Sequence, residues 1–170
     1  GMAAMSVVAC SEDALETSPS SSVSGNELLG TATNALVSLN GVYRAMYTAG
    51  VSNSSNTHQC FGITAYNLVA DVMGEDCIMN GQGSGWFWYD CVYNVKSRYT
   101  STGWRSYDMW NGYYTWISNV NYILAEEETM SGSETEKNYV LGQAYAVRAY
   151  SYFMLAQMFS RTYKGHESEP

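Results

Sequence analysis

Four consecutive aromatic residues, Trp86-Phe87-Trp88-Tyr89, followed at once by Asp90, are the densest concentration of chemically useful side chains in the sequence. Tryptophan and tyrosine present flat apolar faces with one polar tip, so they stack on flat partners while neighbouring amides and carboxylates bond the polar edges. Four rings in a row cannot all turn into one core. In an extended segment alternation buries two and exposes two, and Trp86 and Trp88, two apart, point the same way. The alternative for both tryptophans is a lid folded back over the helices. Gly81, Gly83 and Gly85 break the backbone just ahead, among Asn80, Gln82 and Ser84. They are not a phosphate loop, because the lysine is missing and no buried strand precedes them. Asn80, Gln82 and Asp90 are the polar groups nearest the rings.

Other reactive side chains carry less. The acids near the rings, Asp71, Glu75, Asp76 and Asp90, show no specific arrangement, and solvated loop acids are the plainer reading. His58 has no second ligand nearby, so no metal is expected. Cys60, Cys77 and Cys91 lack the CxxC spacing of a zinc or redox site. Cys77 and Cys91 bracket one loop and are the pair to consider for a disulfide in an exported chain, with buried free thiols as the alternative. A net charge of −8 and a pI near 4.6, with only eight Lys and Arg spread thinly, argue against a nucleic-acid partner and favour neutral ligands. At 170 residues and 46% hydrophobic the chain can fill a core, and its 14% aromatic content points to surfaces that use rings.

These side chains must be positioned by helices. Residues 1–10 read as the tail of an export signal in which Val7-Val8-Ala9-Cys10 has lipobox spacing and Cys10 carries the lipid. A buried cysteine on a short helix is the alternative there. Residues 11–24 read as a polar, Ser-rich tether, and residues 25–170 as a helical domain. The first helix, capped by Ser24 or Asn26, carries Leu28, Leu29, Ala32, Ala35, Leu36, Leu39, Val42, Tyr43 and Met46 and stops near Gly50. A second runs from about His58 to Met73 with Phe61, Ala65, Leu68, Val69 and Val72 inward. A third begins near Thr102 or Gly103 and ends near Glu126, with Trp110, Tyr114, Ile117, Asn121 and Leu124 on one face. Trp104, Trp110 and Trp116 are expected in the core, and Asn121 is expected to bond the backbone of a neighbouring helix.

The fourth helix, Ser133 to Phe159, opens with a capping box of Ser133 and Glu136. From Asn138 to Ser160 its only charge is Arg148, for which a buried carboxylate partner such as Asp71 or Asp108 is expected. Being apolar on nearly every side, it must be covered on nearly every side. Asn138, Gln143, Arg148, Gln157 and its tyrosines count against a membrane span.

Leu141-Gly142-Gln143-Ala144, Val147-Arg148-Ala149-Tyr150, Tyr152-Phe153 and Leu155 resemble the signature helix of the SusD-like (RagB/SusD) outer-membrane lipoproteins. Trp110, Tyr114, Ile117 and Val120-Asn121 match the preceding helix of that family, and Leu15 to Pro19 resembles the start of its mature chain. Gln143 stands where the family has glutamate, and Phe159-Ser160-Arg161 replaces a glycine-containing exit. The resemblance implies an all-α fold: antiparallel helical hairpins stacked in a tetratricopeptide-repeat-like manner, with a long irregular aromatic loop from Gly74 to Thr102. Residues 25–170 would then be the N-terminal part of a longer helical domain. It further implies a surface-exposed lipoprotein, held on the outer membrane, that binds oligosaccharides and delivers them to a SusC-like TonB-dependent transporter, without catalysis or cofactor. In the family an aromatic residue of the glycan platform comes from the loop between the second and third helices. Here that loop is Gly74 to Thr102, and ring size and proximity in the sequence, not a family motif, select Trp86, Trp88 and Tyr89 for stacking and Asn80, Gln82 and Asp90 for the sugar hydroxyls. Two other classes stand beside this reading: a helical-toroid glycoside hydrolase using paired carboxylates, and a repeat scaffold that binds only protein.

Overall fold

The computed structural model describes residues 28–49, 56–92 and 100–168. The expectations for Cys10, the tether over 11–24 and the stop at Gly50 lie outside them. Helix α1 spans Ala32–Ala45, 3-10 turn Thr57–Gln59 follows, and then come α2 (Ile63–Met73), α3 (Trp88–Val92), α4 (Trp104–Ala125) and α5 (Glu134–Phe159). Among the described residues the only β pairing is an isolated bridge between Thr31 and Ser131. The fold is all-α.

Specific hydrogen bonds explain three of the helix starts. Ser133 Oγ accepts from Glu136 N at 3.3 Å while Glu136 returns its carboxylate to Ser133 N at 2.9 Å, the capping box read from the sequence. Helix α1 is capped by Thr31, whose side chain accepts from Asn34 N at 3.1 Å; the expected caps Ser24 and Asn26 lie outside the described residues. The cause is the bridge: Ser131 N donates to Gly30 O and Ala32 N to Ser131 O, both at 2.9 Å, which holds Thr31 extended and restarts the helix after it. Helix α2 begins at Ile63 and not near His58, because Gly62 (φ 73°) turns the chain where Met46 O accepts from Ile63 N at 2.8 Å. A Cβ on Gly62 would collide with that carbonyl.

Helices α4 and α5 form the central antiparallel hairpin. Asn121 meets Arg148, Tyr113 meets Tyr150, Tyr114 meets Tyr152 and Trp110 meets Phe159, so numbers rise on α4 as they fall on α5. Helix α1 packs on both, with Tyr43 OH donating to Gln143 Oε1 at 3.1 Å. Helix α2 docks on α4 through Tyr66, whose hydroxyl donates to Asp108 O at 3.0 Å and lies against Gly112. Burial, and secondarily the nearby Asp108, pushes the Tyr66 pKa far up; burial does the same for Tyr113, with Tyr150 adding to it.

The buried face of α4 is Met109, Gly112, Tyr113, Trp116, Ile117, Val120, Ile123 and Leu124: Ile117 and Leu124 lie inward as expected, while Trp110, Tyr114 and Asn121 of the expected face do not. Trp110 and Tyr114 are exposed, stacked on one another with ring centroids 4.6 Å apart, while Trp116 is completely buried. Helix α5 buries one stripe, Val140, Leu141, Ala144, Val147, Ser151 and Leu155, and leaves Tyr145, Tyr152, Phe153 and Phe159 exposed. Helices α1 and α4 pack on it, and among the described residues nothing covers the aromatic side they leave. Among the described residues no helix is long and apolar enough to cross a membrane.

Candidate functional site

The aromatic segment is neither extended nor a strand. Gly83 and Gly85 adopt positive φ (50° and 87°), Gly85 N closes a turn on Gln82 O at 2.7 Å, and Trp88 already opens α3. Between them Phe87 holds φ 58°, a left-handed conformation that costs a non-glycine residue about 1–2 kcal/mol. Two contacts hold it there. Phe87 N donates to Gln59 Oε1 at 2.7 Å, and the buried Phe87 ring meets Phe61 edge-on at 6.3 Å. With Phe87 turned inward, Trp86 is turned out: it is 51% exposed and its ring forms a tilted stack with His58, centroids 5.0 Å apart.

The sequence expectation of two buried and two exposed rings is therefore corrected. Phe87 alone is buried, Trp88 is half-buried, and Trp86 and Tyr89 are exposed. The reason is backbone: alternation requires an extended segment, and a turn leading into a helix replaces it. Asn80 and Gln82 are exposed beside the turn. Asp90 is 4% exposed and is not free to meet a ligand. Both its oxygens accept from Arg105, Oδ1 from Nε at 3.2 Å and Oδ2 from Nη2 at 3.0 Å.

Arg105, in the first turn of α4, is the buried charge beside the rings that sequence reasoning missed. Its remaining Nη1 donates to Gln59 O at 2.7 Å, and its guanidinium lies 5.1 Å from the Phe87 ring centroid and 4.2 Å from that of Trp104. One signal was available: Arg105 and Asp108 are the only charges in α4. Arg148, expected to find a buried carboxylate, instead donates to Asn121 Oδ1 at 3.0 Å and faces the Tyr145 ring at 4.9 Å. Asn121 thus ties α4 to α5 through a side chain and not through backbone. Asn121 is exposed and Arg148 half-buried, on the side of the hairpin that the other described helices leave open.

Among the remaining candidates, Asp71, Glu75 and Asp76 are exposed. Cys77 and Cys91 are free thiols, the first exposed, so no disulfide closes the loop they bracket; Cys60 is buried. Among the described residues no group of three His, Cys, Asp or Glu is placed to hold a metal ion. Clefts of about 400 and 420 Å³ flank the start of α4, one walled by Tyr107, Trp110 and Phe159 and the other by Met73, Met109 and Met158. The Trp86 ring lines neither and stands on the surface.

A family model described as SusD-like, starch-binding and associating with the outer membrane matches residues 79–170, which take in the glycine turn, the aromatic segment and helices α3, α4 and α5. No curated protein and no solved structure matches the chain. The match runs over more than half of the 170 residues and includes both helices of the central hairpin. The chain belongs to the SusD-like family, described as starch-binding and associating with the outer membrane.

Proposed function

We propose that this protein is a surface-exposed lipoprotein, anchored to the outer membrane through Cys10, that binds oligosaccharides on a platform of Trp86, Tyr89 and Trp88 and delivers them to a SusC-like TonB-dependent transporter. It binds and does not catalyse. The observation that carries the reading is the outward Trp86 ring, braced on His58 and next to exposed Tyr89, in a chain whose family is described as starch-binding. A pyranose offers a flat face of C–H groups to such a ring, and Asn80 and Gln82 supply amides to its hydroxyls. Asp90 leaves the ligand set because Arg105 occupies its oxygens.

The test is titration of the protein with maltoheptaose and a panel of other neutral oligosaccharides, by calorimetry. Trp86→Ala with Trp88→Ala is expected to weaken the best ligand by more than about 1 kcal/mol per stacked ring, while the far-ultraviolet spectrum and melting temperature hardly move. Binding that survives in the folded fraction alongside a large loss of stability would return these rings to the core. Release of shortened oligosaccharides during the titration would replace the binding reading with an enzymatic one.

A further inference from the structure

We infer that Arg105 is a positioning residue for the Trp86 platform: through one guanidinium it sets the relative placement of the two chain segments whose rings, His58 and Trp86, stack on each other. The circuit closes through hydrogen bonds and short stretches of chain. Arg105 binds both oxygens of Asp90 and the carbonyl of Gln59; Gln59 Oε1 in turn accepts from Phe87 N. His58 is the residue next to Gln59, and Trp86 is the residue next to Phe87. Each half of the stack is thus one residue from a fixed point of the circuit, and the circuit rests on the first turn of a 22-residue helix.

The chemistry suits arginine alone. A planar fork can satisfy a carboxylate with two N–H groups and still aim a third elsewhere, which an ammonium cannot do with fixed geometry. Its 4% exposure and its approach to the Phe87 and Trp104 rings leave the fork no alternative partners in water. A buried ion pair of this kind adds little net stability compared with apolar residues of similar volume, whereas the direction of its hydrogen bonds is lost on such a replacement. Positioning and stability can therefore be separated by experiment.

The binding half of the test rests on the oligosaccharide reading above; the spectroscopic half does not. The chain has two histidines, His58 and His166. At one fixed pH the imidazole protons of His58 carry a ring-current shift from Trp86, and the Trp86→Ala variant both assigns that resonance and gives its unstacked value. In Asp90→Leu with Arg105→Met, the His58 resonance should move most of the way to the unstacked value. Maltoheptaose affinity should fall by about three-fold or more, with melting temperature and far-ultraviolet spectrum close to the parent. Parent-like His58 resonance and affinity in this folded variant would overturn the inference. Should it fail to fold, Arg105→Lys keeps the charge and the stem without the fork. The same resonance must then move, and its failure to do so overturns the inference equally. If the parent binds no oligosaccharide, the proposed function fails while the His58 resonance still decides the role of Arg105.

Discussion

Replacing Gly112 with alanine should destabilise the protein although it sits in a helix interior, where alanine is ordinarily favoured by about 1 kcal/mol. A Cβ at this position would run into the Tyr66 hydroxyl and lie 3.2 and 3.3 Å from Cζ and Cε2 of the same ring. Tyr66 cannot swing aside: it is 1% exposed and packed against Tyr113 and Trp116, with centroids 5.4 and 6.0 Å away. Overpacking of this kind costs about 1–3 kcal/mol. If the ring retreats, its 3.0 Å bond to Asp108 O breaks, and a buried hydroxyl left without a partner costs a further 1–3 kcal/mol, roughly. Set against the propensity gain, the net loss is about 1–5 kcal/mol, centred near 3, or roughly 3–14 °C in melting temperature for a chain of this size. Urea denaturation should show a lower midpoint with an unchanged slope. The mechanism is checked by a double-mutant cycle: on a Tyr66→Phe background the hydroxyl is gone, and Gly112→Ala should cost at least about 1 kcal/mol less. Stability equal to the parent, or a cost unaffected by Tyr66→Phe, would refute this account of the α2–α4 contact.

Gly41 is the control: it lies in α1, exposed, and a Cβ there meets nothing within 4 Å, so Gly41→Ala should raise stability by about 0.5–1 kcal/mol in the same denaturation assay. Ser133→Ala removes the cap of α5 and should cost about 1 kcal/mol near neutral pH. The two hydrogen bonds from Ser133 hold the Glu136 carboxyl below its usual pKa. The stability this supplies is therefore present above the ordinary carboxylate range and is lost as pH falls through the depressed value; the gap between parent and Ser133→Ala in pH-dependent melts should close on acidification. For the anchor, Cys10→Ala in a protein carrying the complete export signal should move the protein from the membrane pellet to the soluble fraction on cell fractionation, and unchanged retention would remove Cys10 from the proposal.

What could be read from the sequence and what could not divide along one line. Features whose cause is local were legible. Ser133 and Glu136 satisfy each other three residues apart, so the start of α5 needed no tertiary information, and the extent of α4 followed from Gly103 and the three- and four-residue spacing of the apolar residues after it. The start of α1 was not legible, because the residue that restarts the helix at Thr31 is Ser131, a hundred residues away. The buried face of α4 was ambiguous for a different reason. Trp110 and Tyr114 lie on one face and Tyr113 and Trp116 on the next, so hydrophobic periodicity fits both. Gly112 breaks the tie: a glycine inside a strongly aromatic helix marks where another element comes closest, and Tyr66 of α2 does so.

The same line runs through the site. Ring-stacking chemistry was legible from Trp86 to Tyr89, since composition alone dictates it. Which ring faces out depends on Phe87 taking a left-handed conformation, and that is imposed by Gln59, 28 residues earlier, and by the arginine bonded to both Gln59 and Asp90. Choosing between Arg105 and Arg148 needed the same non-local knowledge. Arg148, in the signature-like helix, faces the open side of the hairpin and meets the Asn121 amide and the Tyr145 ring. Arg105 carries no motif, yet it alone is buried, because the aromatic turn and the Thr57–Gln59 segment close over it. A charge is drawn into such a place only when every neighbour is already a partner. That is why the residue with no sequence signature came to organise the rings that had one.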